Sequence, residues 1–203
     1  MKRYLLIFYP FLLLGHDHPN REYACFPFKQ KEPLLSFICH RFPPVHQQVR
    51  THFLSNVGED KKCIQLSNGS EWDISLFDRY KLDQWTKDHP IFITQNPSWG
   101  TGYRYRLINS ETGTFVEAAL SSNSLLSTCS KIKTLHPSKN ALEFNDGTLW
   151  EISESDASLL EKWKTEDPLI AGFNTGNEHQ SHEALIIHVP SNTCVQARQV
   201  QPD

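Results

Sequence analysis

Apolar and polar residues alternate most clearly in two places, spaced alike along the chain. Ile64 and Leu66 precede Ser67-Asn68-Gly69-Ser70, and Trp72 and Ile74 follow it. Leu142 and Phe144 precede Asn145-Asp146-Gly147-Thr148, and Trp150 and Ile152 follow that. Alternation with period two marks a half-buried strand. Asn-Gly or Asp-Gly between two such strands predicts a type I′ hairpin turn, with positive φ at both central residues.

A short helix is predicted after each hairpin. Ser75 and Ser153 are its candidate caps, with Asp78 and Asp156 three residues on as capping-box partners. Leu82 and Trp85, like Leu159, Leu160 and Trp163, fall at helical spacing, and Pro90 and Pro168 end the helical stretch. Ile91-Phe92-Ile93 and Leu169-Ile170 read as the next strand. Tyr103 to Ile108 alternates and reads as a strand; Ser110-Glu111-Thr112-Gly113 turns the chain into another, Thr114 to Leu120. The later counterparts are Ala184 to Val189, a turn at Pro190-Ser191-Asn192, and Thr193 to Ala197.

The two halves are related by a constant offset of 78. Gly69, Trp72, Ile74, Ser75, Asp78, Leu82, Trp85, Pro90, Asn96, Leu107 and Ile108 each meet an identical residue there. Unrelated sequence of ordinary composition would give roughly three such identities. After a slip of one residue, Val116 and Ala118 meet Val195 and Ala197. The expectation is a mainly β chain of two tandem small β-barrel-like modules, SH3-like or OB-like, each with about five strands and one short helix. A compact sheet carrying one helix is the alternative. The modules are placed at 49–122 and 123–203.

Ahead of them, Lys2 and Arg3 precede an apolar run from Tyr4 to Leu14. As a helix this run would be only about 16 Å long, too short for a bilayer and suited to the core of an export signal. Residues 1–18 are therefore read as signal-peptide-like, although Pro10 interrupts the run and no A-x-A site follows. Residues 19–48, with Pro19, Pro27, Pro33, Pro43 and Pro44, read as a Pro-rich linker or extended arm. No transmembrane span is expected in the mature protein.

Composition adds three constraints. Charge is nearly balanced, at −3 overall, so there is no basic footprint for nucleic acid. Twelve Phe and five Trp against one Met point to a core of rigid aromatics. The five cysteines, Cys25, Cys39, Cys63, Cys129 and Cys194, are an odd set without a C-x-x-C, so neither a zinc ribbon nor a redox pair is indicated.

The Asn/Asp-Gly-Ser/Thr turn, the x-Trp-x-Ile that follows, the helix ending in Trp, and then Asp/His-Pro with an Asn-bearing loop together resemble a group of uncharacterised small exported bacterial proteins. The resemblance spans about 49–120 and 127–199. It implies a repeated β module in an exported bacterial protein and carries over no catalytic residue.

Candidate chemistry is sparse. Trp72, Trp85, Trp150 and Trp163 share the apolar phase of both halves and are expected in the core. Trp99, in Pro97-Ser98-Trp99-Gly100-Thr101-Gly102, has Asn177 at its counterpart. With Tyr103, Arg104, Tyr105 and Arg106 it has the composition of an exposed interface hot spot, for a protein or a glycan. His179 and His182, beside Glu178 and Glu183, are weak metal candidates: His182-Glu183-Ala184-Leu185-Ile186 fails H-E-x-x-H at its last position. Cys39-His40 with His46 and His52 lacks any sign of a lowered thiol pKa. No G-x-S-x-G, Walker or Rossmann pattern occurs, and no cofactor is implied. Asn68-Gly69-Ser70 matches a glycosylation acceptor, but turn geometry already accounts for the Asn. The expected function is an exported, non-catalytic binding or structural protein. The alternative is an envelope-associated hydrolase with its site between the modules.

Overall fold

A computed structural model of the chain describes residues 50–98, 100–124, 128–175 and 181–200. The signal-like segment and the Pro-rich arm lie outside these residues. The described chain is mainly β, with a closed six-stranded barrel, further strands and a few 3₁₀ helices.

The barrel comprises β1 (Thr51–Val57), β2 (Cys63–Leu66), β3 (Glu71–Ile74), β4 (Pro90–Gln95), β5 (Tyr105–Asn109) and β6 (Phe115–Leu120). They pair in the order β1-β2-β3-β6-β5-β4, and β1 pairs again with β4 to close the ring. The further strands are β7 (Ser130–His136), β8 (Ala141–Phe144), β9 (Leu149–Ile152), β10 (Pro168–Phe173), β11 (Ala184–His188) and β12 (Thr193–Val200). Their order is β10-β11-β12-β9-β8-β7, with β7 also pairing β10. One parallel pair, Phe173 opposite Thr94, joins β10 to β4.

Each set has six strands where the pattern predicted about five. The missing ones are β1 and β7, which carry an irregularity between Leu54 and Asn56 and between Ile132 and Thr134. A bulge shifts the phase of side chains by one. The apolar alternation that announces a strand is therefore broken in both.

The predicted helices are 3₁₀, Leu76–Gln84 and Ala157–Lys162. The capping boxes do not form. Asp78 Oδ2 instead accepts the Glu117 N–H at 2.7 Å, and Asp156 Oδ2 accepts the Gln196 N–H at 2.8 Å, so each carboxylate ties its helix to a strand. The hairpin turn also differs from expectation. Gly69 and Gly147 have positive φ, while Asn68 and Asp146 do not. The Gly69 N–H reaches the Leu66 carbonyl and the Leu66 N–H reaches Ser70, the pattern of a type I turn followed by a glycine bulge.

Trp72 and Trp150 are fully buried and Trp85 and Trp163 nearly so, as the pattern predicted. Two apolar clusters surround them. Every one of the thirteen buried members of the second cluster stands 78 or 79 residues after a member of the first. The offset is 78 as far as Ala171, level with Ile93, and 79 from Ala184, level with Tyr105. Strand pairing thus sets Leu107 level with Ile186, so the identity of Leu107-Ile108 with Leu185-Ile186 is not a structural equivalence. The one-residue slip falls in the loop before β5 and β11, earlier than the sequence match placed it.

The first cluster has four buried members without a counterpart: Cys129, Ile170, Leu185 and Ile187. The last three come from β10 and β11, so the barrel's apolar cluster continues into the second set of strands. At this seam Gly172 lies against β4. A Cβ at Gly172 would meet the Ile93 carbonyl oxygen at 2.5 Å. Gly172→Ala should therefore lower stability by about 1–3 kcal/mol, the usual range for overpacking. Urea denaturation should report a lower midpoint with an unchanged slope, since no surface is newly exposed in the native state.

Candidate functional site

The residues proposed from sequence as an exposed loop are distributed by the fold among different tasks. Trp99 lies outside the described residues. Tyr105 is a correction: it is 1% exposed, in the barrel core, edge-on to Trp72 at 5.3 Å between centroids. Its hydroxyl donates to Asn192 Oδ1 at 3.1 Å. Arg104 is exposed and donates to the Asn192 carbonyl at 2.7 Å. Arg106 is half-buried over the Phe115 ring at 4.6 Å. Tyr103 is half-buried, and its carbonyl accepts from Asn96 Nδ2 at 2.8 Å. Arg104 and Tyr105 therefore bind the two sets of strands together.

His179 lies outside the described residues. His182 Nδ1 is 3.0 Å from Ser181 Oγ. The Glu183 carboxylate is turned to Arg50 at 3.8 Å. Among the described residues no three His, Cys, Asp or Glu side chains are grouped to hold a metal ion. Cys63, Cys129 and Cys194 are free thiols. Burial pushes the Cys129 thiol up to about 11 and raises Cys194 as well, which keeps both protonated. Among the described residues no helix is long and apolar enough to cross a membrane.

Between the two sets of strands lies a cleft of about 270 Å³, bounded by Thr51, His52, Asn68, Ser130, Leu169 and Ala171 among others. That volume is just below the usual range for ligand pockets. Its histidine is fully engaged. His52 Nε2 is 2.7 Å from the Ala171 carbonyl, so it carries the proton; Nδ1, at 3.2 Å, accepts from Asn68 Nδ2. Asn68 Oδ1 accepts the Ser70 hydroxyl at 2.6 Å, and Ser70 Oγ accepts the Trp72 indole N–H at 2.8 Å. Hydrogen bonds thus run in one direction from Trp72 through Ser70, Asn68 and His52 to Ala171. The later hairpin repeats the first part, Trp150 Nε1 to Thr148 Oγ1 at 3.0 Å and Thr148 to Asp146 at 2.7 Å. Beside this cleft Arg50 is fully buried over the Phe173 ring, 5.0 Å from its centroid, and donates to the Glu183 carbonyl at 3.2 Å.

A different surface is the apolar one. Leu76, Phe77 and Tyr80, in the first 3₁₀ helix, are 65%, 84% and 69% exposed. Phe77 and Tyr80 are three residues apart, which puts them on one face of a 3₁₀ helix. The residues 78 further on are Glu154, Ser155 and Ser158, all exposed. Periodicity did not single out the first three, because apolar residues beside a helix are ordinarily read as core. Their replacement by polar residues in the other half was the available signal.

Comparison with protein families, with curated proteins and with solved structures found no match for this chain.

Burial lowers the pKa of His52, and its bond to Ala171 only partly offsets this. Below about pH 6.5, the ordinary histidine value, the unfolded chain takes up a proton that the folded chain refuses. The His52 contribution is therefore complete above that pH and declines as pH falls below it. Asn68→Asp should change this behaviour. It sets an acceptor against the unprotonated Nδ1, costing about 1–3 kcal/mol at pH 8. Acidification should recover part of the loss, as His52 takes a proton and pairs with the new carboxylate. Denaturant titrations of both proteins between pH 5 and pH 8 would check the crossing trend.

Proposed function

We propose that this is an exported binding or structural protein built from one duplicated β module, and that the first module carries the contact surface. Support for duplication comes from strand register. Leu54 opposite Leu66 and Val57 opposite Ile64 have Ile132 opposite Phe144 and Leu135 opposite Leu142 as counterparts, with the bulge between them in the same place. On this reading the two closed sets of six strands are tandem barrels of small SH3-like or OB-like size. Export rests on the basic and apolar character of residues 1–18.

The observation that carries the binding reading is the exposure of Leu76, Phe77 and Tyr80, set against the polar Glu154, Ser155 and Ser158 at the same places in the second module. Aromatic side chains supply large contact area at low entropic cost, and clustered exposed apolar residues mark interaction sites. The second module would act as the support.

Grafting the second module's residues onto the first, Leu76→Glu, Phe77→Ser and Tyr80→Ser together, tests this. Stability should change little, about 0.5 kcal/mol or less per exposed site. A photo-crosslinking residue at position 77 should capture a partner from the producing cell's envelope or medium, and one at position 155 should not. Equal capture from both positions, or none from either, would remove the basis for the reading. Fractionation of the same cells checks export.

A further inference from the structure

At the hairpin between β11 and β12 a serine and a histidine form a hydrogen-bonded sequence with an aspartate that immediately precedes β10. His188 Nδ1 is 2.7 Å from the Ser191 hydroxyl. His188 Nε2 is 2.8 Å from Asp167 Oδ2. The backbone N–H of Ser191 also points to Nδ1, at 3.3 Å, so that nitrogen carries a lone pair. The proton therefore sits on Nε2 and faces the carboxylate. Burial alone would raise the Asp167 carboxyl, but hydrogen bonds from His188 and from the Lys164 N–H outweigh it and hold the group below its ordinary value. The imidazole is buried and stacked on Trp163, 4.7 Å between centroids and 9° from parallel. Ser191 is exposed at the turn.

From this arrangement the geometry points to Ser191 as an activated nucleophile for acyl transfer from small carboxylic esters, with His188 as its general base and Asp167 as the residue that positions the imidazole. The logic is that of nucleophile, base and orienting group, each within hydrogen-bond reach of the next. Ser191 Oγ would attack the ester carbonyl carbon while its proton passes to His188 Nδ1. The carbon–oxygen bond to the alcohol breaks, and His188 returns the proton to the departing oxygen. Water then attacks the acyl-serine by the same route, releasing the carboxylic acid and restoring Ser191. No redox change occurs, and water is the only co-reactant.

The counterpart turn of the barrel shows that these residues exceed what the turn needs. Asn109 stands level with His188, His89 with Asp167 and Thr112 with Ser191. There Asn109 Oδ1 accepts the N–H groups of Glu111 at 2.9 Å and Thr112 at 3.2 Å, and its Nδ2 meets His89 Nδ1 at 2.9 Å. An amide is thus enough to brace the hairpin. The second turn replaces it with an imidazole, puts a carboxylate on the far nitrogen and aims a primary hydroxyl at the near one.

The comparison also supplies the test. His188→Asn installs the barrel's own residue, so the hairpin keeps its brace while the base is lost. The full-length protein is incubated with a fluorophosphonate probe, and the adduct is located by peptide mass spectrometry. Hydrolysis of p-nitrophenyl acetate is followed in parallel. The expected result is an adduct on Ser191 whose rate of formation falls about a hundredfold in His188→Asn, the low end of general-base contributions. Asp167→Asn should slow it less and shift the pH profile of labelling. The proposal is overturned if the folded wild-type protein forms no adduct at Ser191. It is equally overturned if His188→Asn, shown folded by its thermal transition, labels at the wild-type rate.

Discussion

A buried indole N–H must have a partner, and the way this chain supplies one organises much of its structure. Trp72 and Trp150 sit within the two apolar clusters, with no surface exposed to solvent. In a strand, the residue two before the tryptophan lies on the same face. In both hairpins that residue is a hydroxyl, Ser70 or Thr148, and it accepts the indole N–H. The hydroxyl's own proton goes to Asn68 or Asp146 at the turn, and the intervening glycine makes the positive-φ bend. The recurring Asn/Asp-Gly-Ser/Thr-x-Trp pattern is thus the sequence form of one satisfied hydrogen-bond relay. Leaving such a donor unpaired in the interior costs about 1–3 kcal/mol.

The relay also explains a difference between the halves. Asn68 has amide protons to spare and passes one to His52, which donates onward to β10. Asp146 has none to pass, and the residue level with His52 is Ser130. The barrel is therefore linked to the neighbouring strands by a polar chain that has no counterpart on the other side. Small residues make room for it. Ala171 and Gly172 stand where β4 has Ile93 and Thr94, and the approach at Gly172 leaves no space for a side chain. Ile170, Leu185 and Ile187 fill the apolar side of the same seam. The sets of strands are alike internally and unlike where they meet.

What the sequence disclosed follows from this division. The turn's position, the tryptophan and the apolar face depend on neighbours within a few residues and were legible, whereas the turn's type was not. Strands β1 and β7 were not, because a bulge interrupts their alternation. Tyr105 read as a loop residue because Tyr103, Arg104 and Arg106 surround it with polar character, yet it opens β5 and faces Trp72. The His188, Asp167 and Ser191 grouping was invisible for another reason: Asp167 lies 21 residues before His188, and only strand pairing brings them together. The exposed Leu76, Phe77 and Tyr80 required comparison of the two halves position by position, since hydrophobicity alone assigns them to a core.

Each of the twelve described strands has a neighbour on both sides along part of its length, because β1 returns to β4 over three residue pairs and β7 to β10 over two. Along the stretches so paired, the described sheet presents no open main-chain ladder. At those stretches a peptide that docks by extending a sheet finds no template, and neither does a sister molecule stacking edge to edge. Recognition at those stretches would fall to side chains and turns, with the strands holding them in place.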